Sequence, residues 1–170
     1  MSERAEQLAE RFQAVIAAFA LEIEALSDAE WRTICPAEGW SVGVVARHIA
    51  IGSETITRHI HEFLADPSPK PDTVETIHQR NASDAARLAD CTKAETVAHL
   101  RASGVAAVEL VRGLTDAQLG RRGLLAAGFP ERDVAWLAGF LVRHLDEHRA
   151  SIHAALARER PDAGNLLTNS

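Results

Sequence analysis

Hydrophobic residues recur at intervals of three and four along most of the chain, the spacing that gathers side chains on one face of an α-helix. The first stripe comprises Leu8, Phe12, Val15, Ile16, Phe19, Ile23 and Leu26. The second comprises Val45, His48, Ile49, Gly52, Ile56, Ile60 and Phe63. The third comprises Val97, Leu100, Gly104, Val108 and Val111, and the fourth Trp136, Phe140, His144, His148 and Ile152. The pattern predicts four amphipathic helices.

Prolines and capping residues set the limits of these helices. Proline is excluded from helix interiors, and all six prolines fall outside the predicted helices: Pro36, Pro67, Pro69, Pro71, Pro130 and Pro161. Ser41 is a favourable N-cap for the second helix. Thr92, followed by Glu95, forms a capping box for the third, which ends at Gly113. We expect the fourth helix to run from about Asp133 to Arg160.

Four amphipathic helices in a short chain predict an all-α fold, a four-helix bundle forming one domain over residues 1–160. The connection from Phe63 to Thr92 is long enough to cross the bundle, so that two adjacent helices run parallel. Its polar part, Asp72 to Asp90, is expected to contain some helix, and Gly120 to Pro130 a glycine-rich loop. Residues 161–170 are expected to form a flexible tail.

Charge and composition limit the partners and the cellular location that we expect for the chain. The 170-residue chain carries a net charge of −6 and has only two lysines, so a nucleic-acid partner is not expected. No apolar stretch is long enough for a membrane helix, and no signal peptide is evident at the N-terminus. Two cysteines, Cys35 and Cys91, cannot build a disulfide framework. These features predict a cytoplasmic protein with reduced thiols.

Three histidines are the candidate chemical groups. His144 and His148 lie four residues apart, which places them on the same face of the fourth predicted helix, and His48 falls within the apolar stripe of the second. Imidazoles directed into a core cost free energy unless each finds a partner. A divalent metal ion would satisfy all three and keep open positions for water or substrate. Histidines bonded to backbone or carboxylate groups within the core remain the alternative.

Two other metal sites fit the sequence less well. His144-Leu-Asp-Glu-His148 matches the pattern of inverted zinc peptidases, but these take a further ligand far downstream and too little chain follows. A di-iron bundle requires a Glu-x-x-His sequence on each of two helices, and only Glu75-Thr-Ile-His78 has that spacing. Glu147 could support a ligand but is more simply a solvated carboxylate. The remaining histidines are interpreted as surface or boundary residues: His59, His61, His78, His99 and His153.

Four segments, in order along the chain, resemble the DinB/YfiT-like superfamily. They are Gly39-Trp-Ser-Val-Gly-Val-Val-Ala-Arg-His48-Ile-Ala, Gln79-Arg-Asn-Ala-Ser83, Leu114-Thr-Asp-Ala-Gln-Leu119 and Arg143-His144-Leu-Asp-Glu-His148. The resemblance implies a four-helix bundle with a long crossover between its second and third helices. It also implies a zinc- or nickel-type ion held by three histidines, which correspond here to His48, His144 and His148.

The resemblance implies two reaction classes, because the superfamily includes thiol-cofactor-dependent transferases and isomerases as well as metal-dependent hydrolases. The leading hypothesis is therefore a metal-dependent enzyme acting on a small molecule, with a low-molecular-weight thiol as one candidate cofactor. The alternative hypothesis is a non-catalytic binding or stress-response module whose histidines are structural. Bundles of this kind often dimerise through helix faces, so a homodimer is also an expectation. Spacing does not distinguish zinc from nickel.

Overall fold

Across residues 2–65 and 71–159, which the computed structural model describes, four long helices account for most of the chain: α1 (Glu3–Ala25), α3 (Val42–Leu64), α5 (Lys93–Arg112) and α7 (Val134–Glu159). The shorter helices in this part are α2 (Asp28–Arg32), α4 (Val74–Arg87) and α6 (Asp116–Leu119). Two small antiparallel hairpins pair β1 (Ile34–Cys35) with β2 (Trp40–Ser41), and β3 (Arg122–Gly123) with β4 (Arg132–Asp133).

Hydroxyl and carboxylate side chains start the long helices where the sequence predicts. The Ser41 side chain accepts a hydrogen bond from the Val44 backbone N–H, and Thr92 accepts one from Glu95. Asp133 accepts a bond from the Trp136 backbone N–H at 2.7 Å, which fixes the start of α7. These bonds satisfy donors that the first turn of a helix leaves without an intrahelical partner.

The four long helices form the predicted bundle, with a cyclic order of α1, α5, α3 and α7. The Lys93 ammonium donates to the Leu26 carbonyl, so α5 begins where α1 ends and the two run antiparallel. The Cys91 thiol contacts the Gly43 carbonyl at 3.5 Å, so α5 also begins beside the start of α3. Helices α3 and α5 are therefore adjacent and parallel, which confirms the crossover predicted between the second and third long helices.

The core follows the predicted stripes in the first three long helices. Every residue of the third stripe is buried, and the largest fully buried side chains in the described part include Phe12, Phe19, Ile49, Ile60 and Leu100. Helix α7 differs from the prediction. The residues that α7 directs into the core are Leu137, Leu141 and Leu145. In the predicted row, the four residues from Trp136 to His148 are each only partly buried. That row lies along the margin of the core.

The connection after α3 is more regular than its polar composition indicates. Asp72 to Asp90 was expected to contain some helix, and residues 74–87 form α4, none of whose residues is buried. Thr73 caps α4, and the Asp72 carbonyl accepts a 2.7 Å hydrogen bond from Ala127 N–H. Helix α4 thus packs on α3 while its start is fastened to the loop between β3 and β4.

The predicted glycine-rich loop, Gly120 to Pro130, contains strand β3, whose partner β4 follows directly. The tail predicted for residues 161–170 lies outside the described residues, and the single-domain boundary at residue 160 stays a prediction. No helix in the described part of the chain combines the length and hydrophobicity needed to cross a membrane.

Candidate metal centre

The three predicted histidines lie together although His48 is 96 residues from His144. His48 comes from the second turn of α3, and His144 and His148 come from the middle of α7, which runs antiparallel to α3. The ring centroids of His48 and His144 are 5.2 Å apart, and each ring is 4.8 Å from that of His148. One ligand atom from each residue can be chosen so that all three lie within 4.8 Å of one another.

The donor geometry fits a divalent ion. The Nε2 atoms of His48 and His144 are 3.3 Å apart. Two nitrogens that share a tetrahedral ion at about 2.0–2.1 Å from each are separated by about 3.4 Å, so little movement is needed. The same distance allows one of these rings to donate an N–H···N hydrogen bond to the other. Three imidazole nitrogens are a donor set that suits zinc and nickel alike.

Burial keeps two of the imidazoles unprotonated at neutral pH. Burial first, and the neighbouring His148 second, lower the pKa of His48 to about 4 and that of His144 to about 3. Only a neutral imidazole has a lone pair available to a metal ion. These two side chains are therefore ready to bind a cation throughout the physiological pH range.

Glu38 orients the third imidazole. Its Oε1 lies 3.0 Å from His148 Nδ1, and its Oε2 accepts a 2.6 Å hydrogen bond from the Ser151 hydroxyl. A carboxylate can only accept, so Nδ1 of His148 carries a proton, which leaves Nε2 as the atom of this ring that can bind a metal ion. Glu38 is placed by the turn between β1 and β2, where Gly39 has a φ of 73°, a conformation that favours glycine. Sequence reasoning missed Glu38, although the Glu-Gly sequence marks a tight turn just before the second helix.

A glycine on α3, Gly52, leaves room for the His144 ring where α3 and α7 are in close contact. A Cβ atom added to Gly52 would lie 2.2 Å from Cε1 of His144, so only glycine at this position leaves space for the ring. Trp40 meets the His48 ring edge to face at 5.4 Å, and Phe140 meets His144 in the same way at 5.8 Å. The tryptophan and phenylalanine restrict how far the two imidazoles can turn.

The histidines form one end of a pocket of about 400 Å³. Helix α3 provides its floor, α4 and α7 line its sides, and the loop that follows β3 contributes two apolar residues. Most of the lining is hydrophobic and includes Trp40, Ile51, Ile56, Ile77, Leu125, Phe129 and Phe140. Polar side chains from α4 complete it: Arg80, Asn81 and Asp84. An apolar pocket with a few polar groups has the character of a small-molecule site.

Other residues that the sequence singled out are not placed for catalysis. Cys35 is fully buried, and burial together with the charge of Glu38 raises its pKa to about 11, so it stays a thiol. Burial also raises the pKa of Cys91. Asp146 and Glu147 are exposed, which agrees with the interpretation of Glu147 as a solvated carboxylate.

The interpretation of His59 as a surface or boundary residue is wrong. Its relative exposure is only 6%, and its ring lines the same pocket as the histidine trio. The helical stripe predicted for α3 did not include it because the residue lies one position before Ile60, at the edge of the apolar face. His61, His78 and His153 are exposed as expected.

Comparison with known proteins identifies a solved structure of similar fold and the family of the chain. The fold is similar to that of YfiT from Bacillus subtilis, described as a probable metal-dependent hydrolase with an unusual four-helix bundle topology. The two structures give a TM-score of 0.76 at 19% identity, over 94% of this chain and 90% of YfiT. A search of curated proteins finds no match. The family model of the DinB superfamily matches residues 3–152, and the chain therefore belongs to the DinB superfamily.

Proposed function

We propose that the chain is a divalent-metal-dependent enzyme whose ligands are His48, His144 and His148, and whose substrate is a small molecule. The observation that carries this proposal is the convergence of three imidazoles at one end of a mainly apolar pocket. A site made for structure alone would be closed by a fourth protein ligand. Among the described residues, these three form the cluster suited to hold an ion, and no fourth ligand joins them.

The residues around the trio support a reactive centre. A bound divalent ion supplies Lewis acidity, which lowers the pKa of a water or thiol that it contacts. Glu38 holds His148 in one tautomer, while Trp40 and Phe140 restrict water on two sides of the trio. Asp84, which faces the pocket from α4, interacts electrostatically with His48. Its carboxylate also accepts a 2.8 Å hydrogen bond from Arg87, and it can accept a further one from a donor group of a substrate in the pocket.

Two reaction classes follow from such a centre. Hydrolysis requires an activated water, and this class is supported by the similarity in fold to YfiT, itself described as a probable metal-dependent hydrolase. Transfer or isomerisation with a low-molecular-weight thiol cofactor requires an activated sulfur from outside the chain, since burial raises the pKa of both cysteines. Zinc and nickel both serve either class. We propose hydrolysis or thiol transfer as the activity, on the same three ligands.

Elemental analysis tests the ligand assignment directly. Protein purified without a tag or chelator is compared with a His48→Ala, His144→Ala, His148→Ala variant and with His78→Ala, which changes an exposed histidine outside the pocket. We expect near-stoichiometric zinc or nickel in the parent and in His78→Ala, and its loss from the triple variant. Metal retained by the triple variant would show that the ligand assignment is wrong.

Ligand exchange then separates an enzyme from a structural module. If the metal has open positions, cobalt-substituted protein should change its visible spectrum when a small thiol is added. A spectrum that does not respond would favour the non-catalytic binding or stress-response module, in which the ion serves only the fold. A cytoplasmic location and a homodimer formed through helix faces stay predictions.

A further inference from the structure

The pocket extends well beyond the histidine trio, to a second polar group at its far end. His48 and His59 lie eleven residues apart on α3, which is close to three full turns, so both side chains leave the same face. Their backbones are about 16 Å apart along the helix axis. Both residues line one continuous pocket, with Gly52, Thr55 and Ile56 between them.

Helix α4 covers this length in the opposite direction. Asp84, near its end, interacts electrostatically with His48, whereas Asp72, just before its start, interacts with His59. Asp72 also accepts a hydrogen bond from Arg80 at 3.0 Å, which neutralises the cation that lines the pocket. The stretch between the two ends is mainly apolar, with Ile51, Ile56 and Ile77, and its uncharged polar residues are Thr55 and Asn81. The cleft therefore has a polar group at each end and a hydrophobic middle.

His59 presents a hydrogen-bond acceptor at the far end. Its Nδ1 lies 2.7 Å from Oε2 of Glu62, and because a carboxylate only accepts, Nδ1 carries the proton. Burial lowers the pKa of His59, so the ring is neutral at physiological pH and Nε2 keeps a lone pair. Among the residues that the structure describes, none forms a hydrogen bond with Nε2. This nitrogen is not fully buried, so it keeps some accessible surface. Since His59 lines the pocket, a donor group of a ligand in the pocket can reach this nitrogen in place of water.

We propose that the cleft binds an elongated molecule with an apolar body, a metal-binding head at the histidine trio and a hydroxyl or amide N–H at the other end that donates to His59 Nε2. The metal-binding head rests on the proposed function, whereas the tail contact rests on His59 and Glu62 alone. An apolar chain suits the middle of the cleft, where isoleucines outnumber the neutral polar residues Thr55 and Asn81 and the charge of Arg80 is paired with Asp72. His59 selects the tail because a neutral acceptor favours a donor over a group that can only accept.

Metal-free protein tests the tail contact on its own. Octanol is compared with heptyl methyl ether, a chain of the same number of heavy atoms that cannot donate a hydrogen bond. We expect octanol to bind about fivefold more tightly and to shift the ¹⁵N resonance of His59 Nε2. Equal affinities, or an unchanged Nε2 resonance, would overturn the proposal.

Two variants identify His59 as the source of the preference. His59→Phe should bind both probes alike, while His78→Phe, which alters an exposed histidine, should keep the preference for the alcohol. In Glu62→Gln the amide can either accept from or donate to Nδ1, so the tautomer of His59 is no longer fixed and the preference should become smaller with the imidazole still present. A preference that survives in His59→Phe would contradict the assignment.

Cobalt-loaded protein tests the two-ended binding. Mercapto-alcohols of increasing chain length, with their methyl ethers as controls, are titrated while the thiolate-to-cobalt absorption is followed. We expect the advantage of the free hydroxyl to reach a maximum at an intermediate length that joins the trio to His59. An advantage that is absent at every length would overturn the inference while leaving metal binding intact. Failure to bind cobalt would instead overturn the proposed function, and the alcohol comparison would still decide the role of His59.

Discussion

At the scale of single residues, the orientation of His148 depends on a carboxylate from outside its own helix. Glu38 accepts from His148 Nδ1 through one oxygen and from Ser151 through the other, so its position is fixed at both atoms. The hydrogen bond directs the free lone pair of the imidazole away from Glu38 and increases its basicity. Glu38 is thus a positioning residue for the proposed metal centre, although it is not one of the three ligands.

Glu38→Gln should weaken metal binding by about 10- to 100-fold, because a neutral amide no longer fixes the tautomer of His148. Titration against a chromophoric chelator measures this loss. Glu54→Gln is the matched control, since Glu54 accepts a 2.7 Å hydrogen bond from His99 and neither residue lines the pocket. An unchanged affinity in Glu38→Gln would remove Glu38 from the centre.

The sequence predicted a site residue where a polar side chain interrupted an apolar helical stripe. It did not predict a site residue that lay outside such a stripe. His48, His144 and His148 stood out because polar side chains interrupted apolar stripes, and the structure brings all three together. Glu38 stood in a polar turn, where a carboxylate is ordinary, and its partner is 110 residues away. His59 was misjudged because the edge of a helical face is buried or exposed according to what packs against it. Here the neighbour is α4, whose place no local pattern reveals.

At the scale of elements, the closeness of α3 and α7 is what allows the trio to form. Gly52 faces His144 directly, and the absence of a side chain there lets the imidazole lie against the backbone of α3. A glycine within a helix normally costs about 1 kcal/mol relative to alanine. The space that Gly52 provides for His144 is a structural reason to accept that cost.

Gly52→Ala should therefore lower metal affinity by more than about tenfold, because its Cβ would displace the His144 ring from the position it needs. Isothermal titration with nickel measures the affinity, and circular dichroism checks the helix content. Gly113→Ala is a suitable control, since a Cβ there would meet nothing nearer than 3.5 Å and its φ of −75° suits alanine. If Gly52→Ala binds nickel as tightly as the parent, the close packing is not required for the site.

The helices differ in how well the local sequence predicts their position and their buried face. The predicted stripes of α1, α3 and α5 face the core, so hydrophobic periodicity revealed each helix and its inward face, although α3 also buries residues outside its stripe, such as His59. Helix α7 lies between the core and the pocket, and two apolar rows run along it. The sequence showed the row that lines the pocket but gave no reason to distinguish it from the core row. Helix α4 has no buried residue, and its polar sequence therefore predicted only some helix in the connection and not the bounds of that helix.

At the scale of the whole molecule, the crossover between α3 and α5 determines where a ligand can bind. It makes α3 and α5 parallel neighbours and carries α4 across the outside of α3, opposite the core. The pocket lies between α4 and the bundle, with the histidine trio at one end and His59 at the other. The length of the connection predicted this topology, whereas the pocket depends on the placement of α4 and of the loop after β3.

The buried imidazoles also connect the stability of the fold to pH. His48 and His144 have pKa values of about 4 and about 3 in the folded protein, against an ordinary value of 6.5 in the unfolded chain. Well above pH 6.5 both residues are neutral in either state and contribute no slope. As the pH falls from 6.5 towards 4, the unfolded chain binds protons that the folded protein excludes, so the free energy of unfolding decreases.

Urea unfolding of metal-free protein at about pH 7 and about pH 5 measures this effect. The parent should lose stability on acidification, and the double variant His48→Gln, His144→Gln should lose clearly less, because glutamine does not titrate. His78→Gln, an exposed site, should behave as the parent does. Parallel pH dependence in the parent and the double variant would mean that these imidazoles become protonated in the folded state as readily as in the unfolded chain. That result would remove the electrostatic basis for a trio held neutral and ready to bind a metal ion.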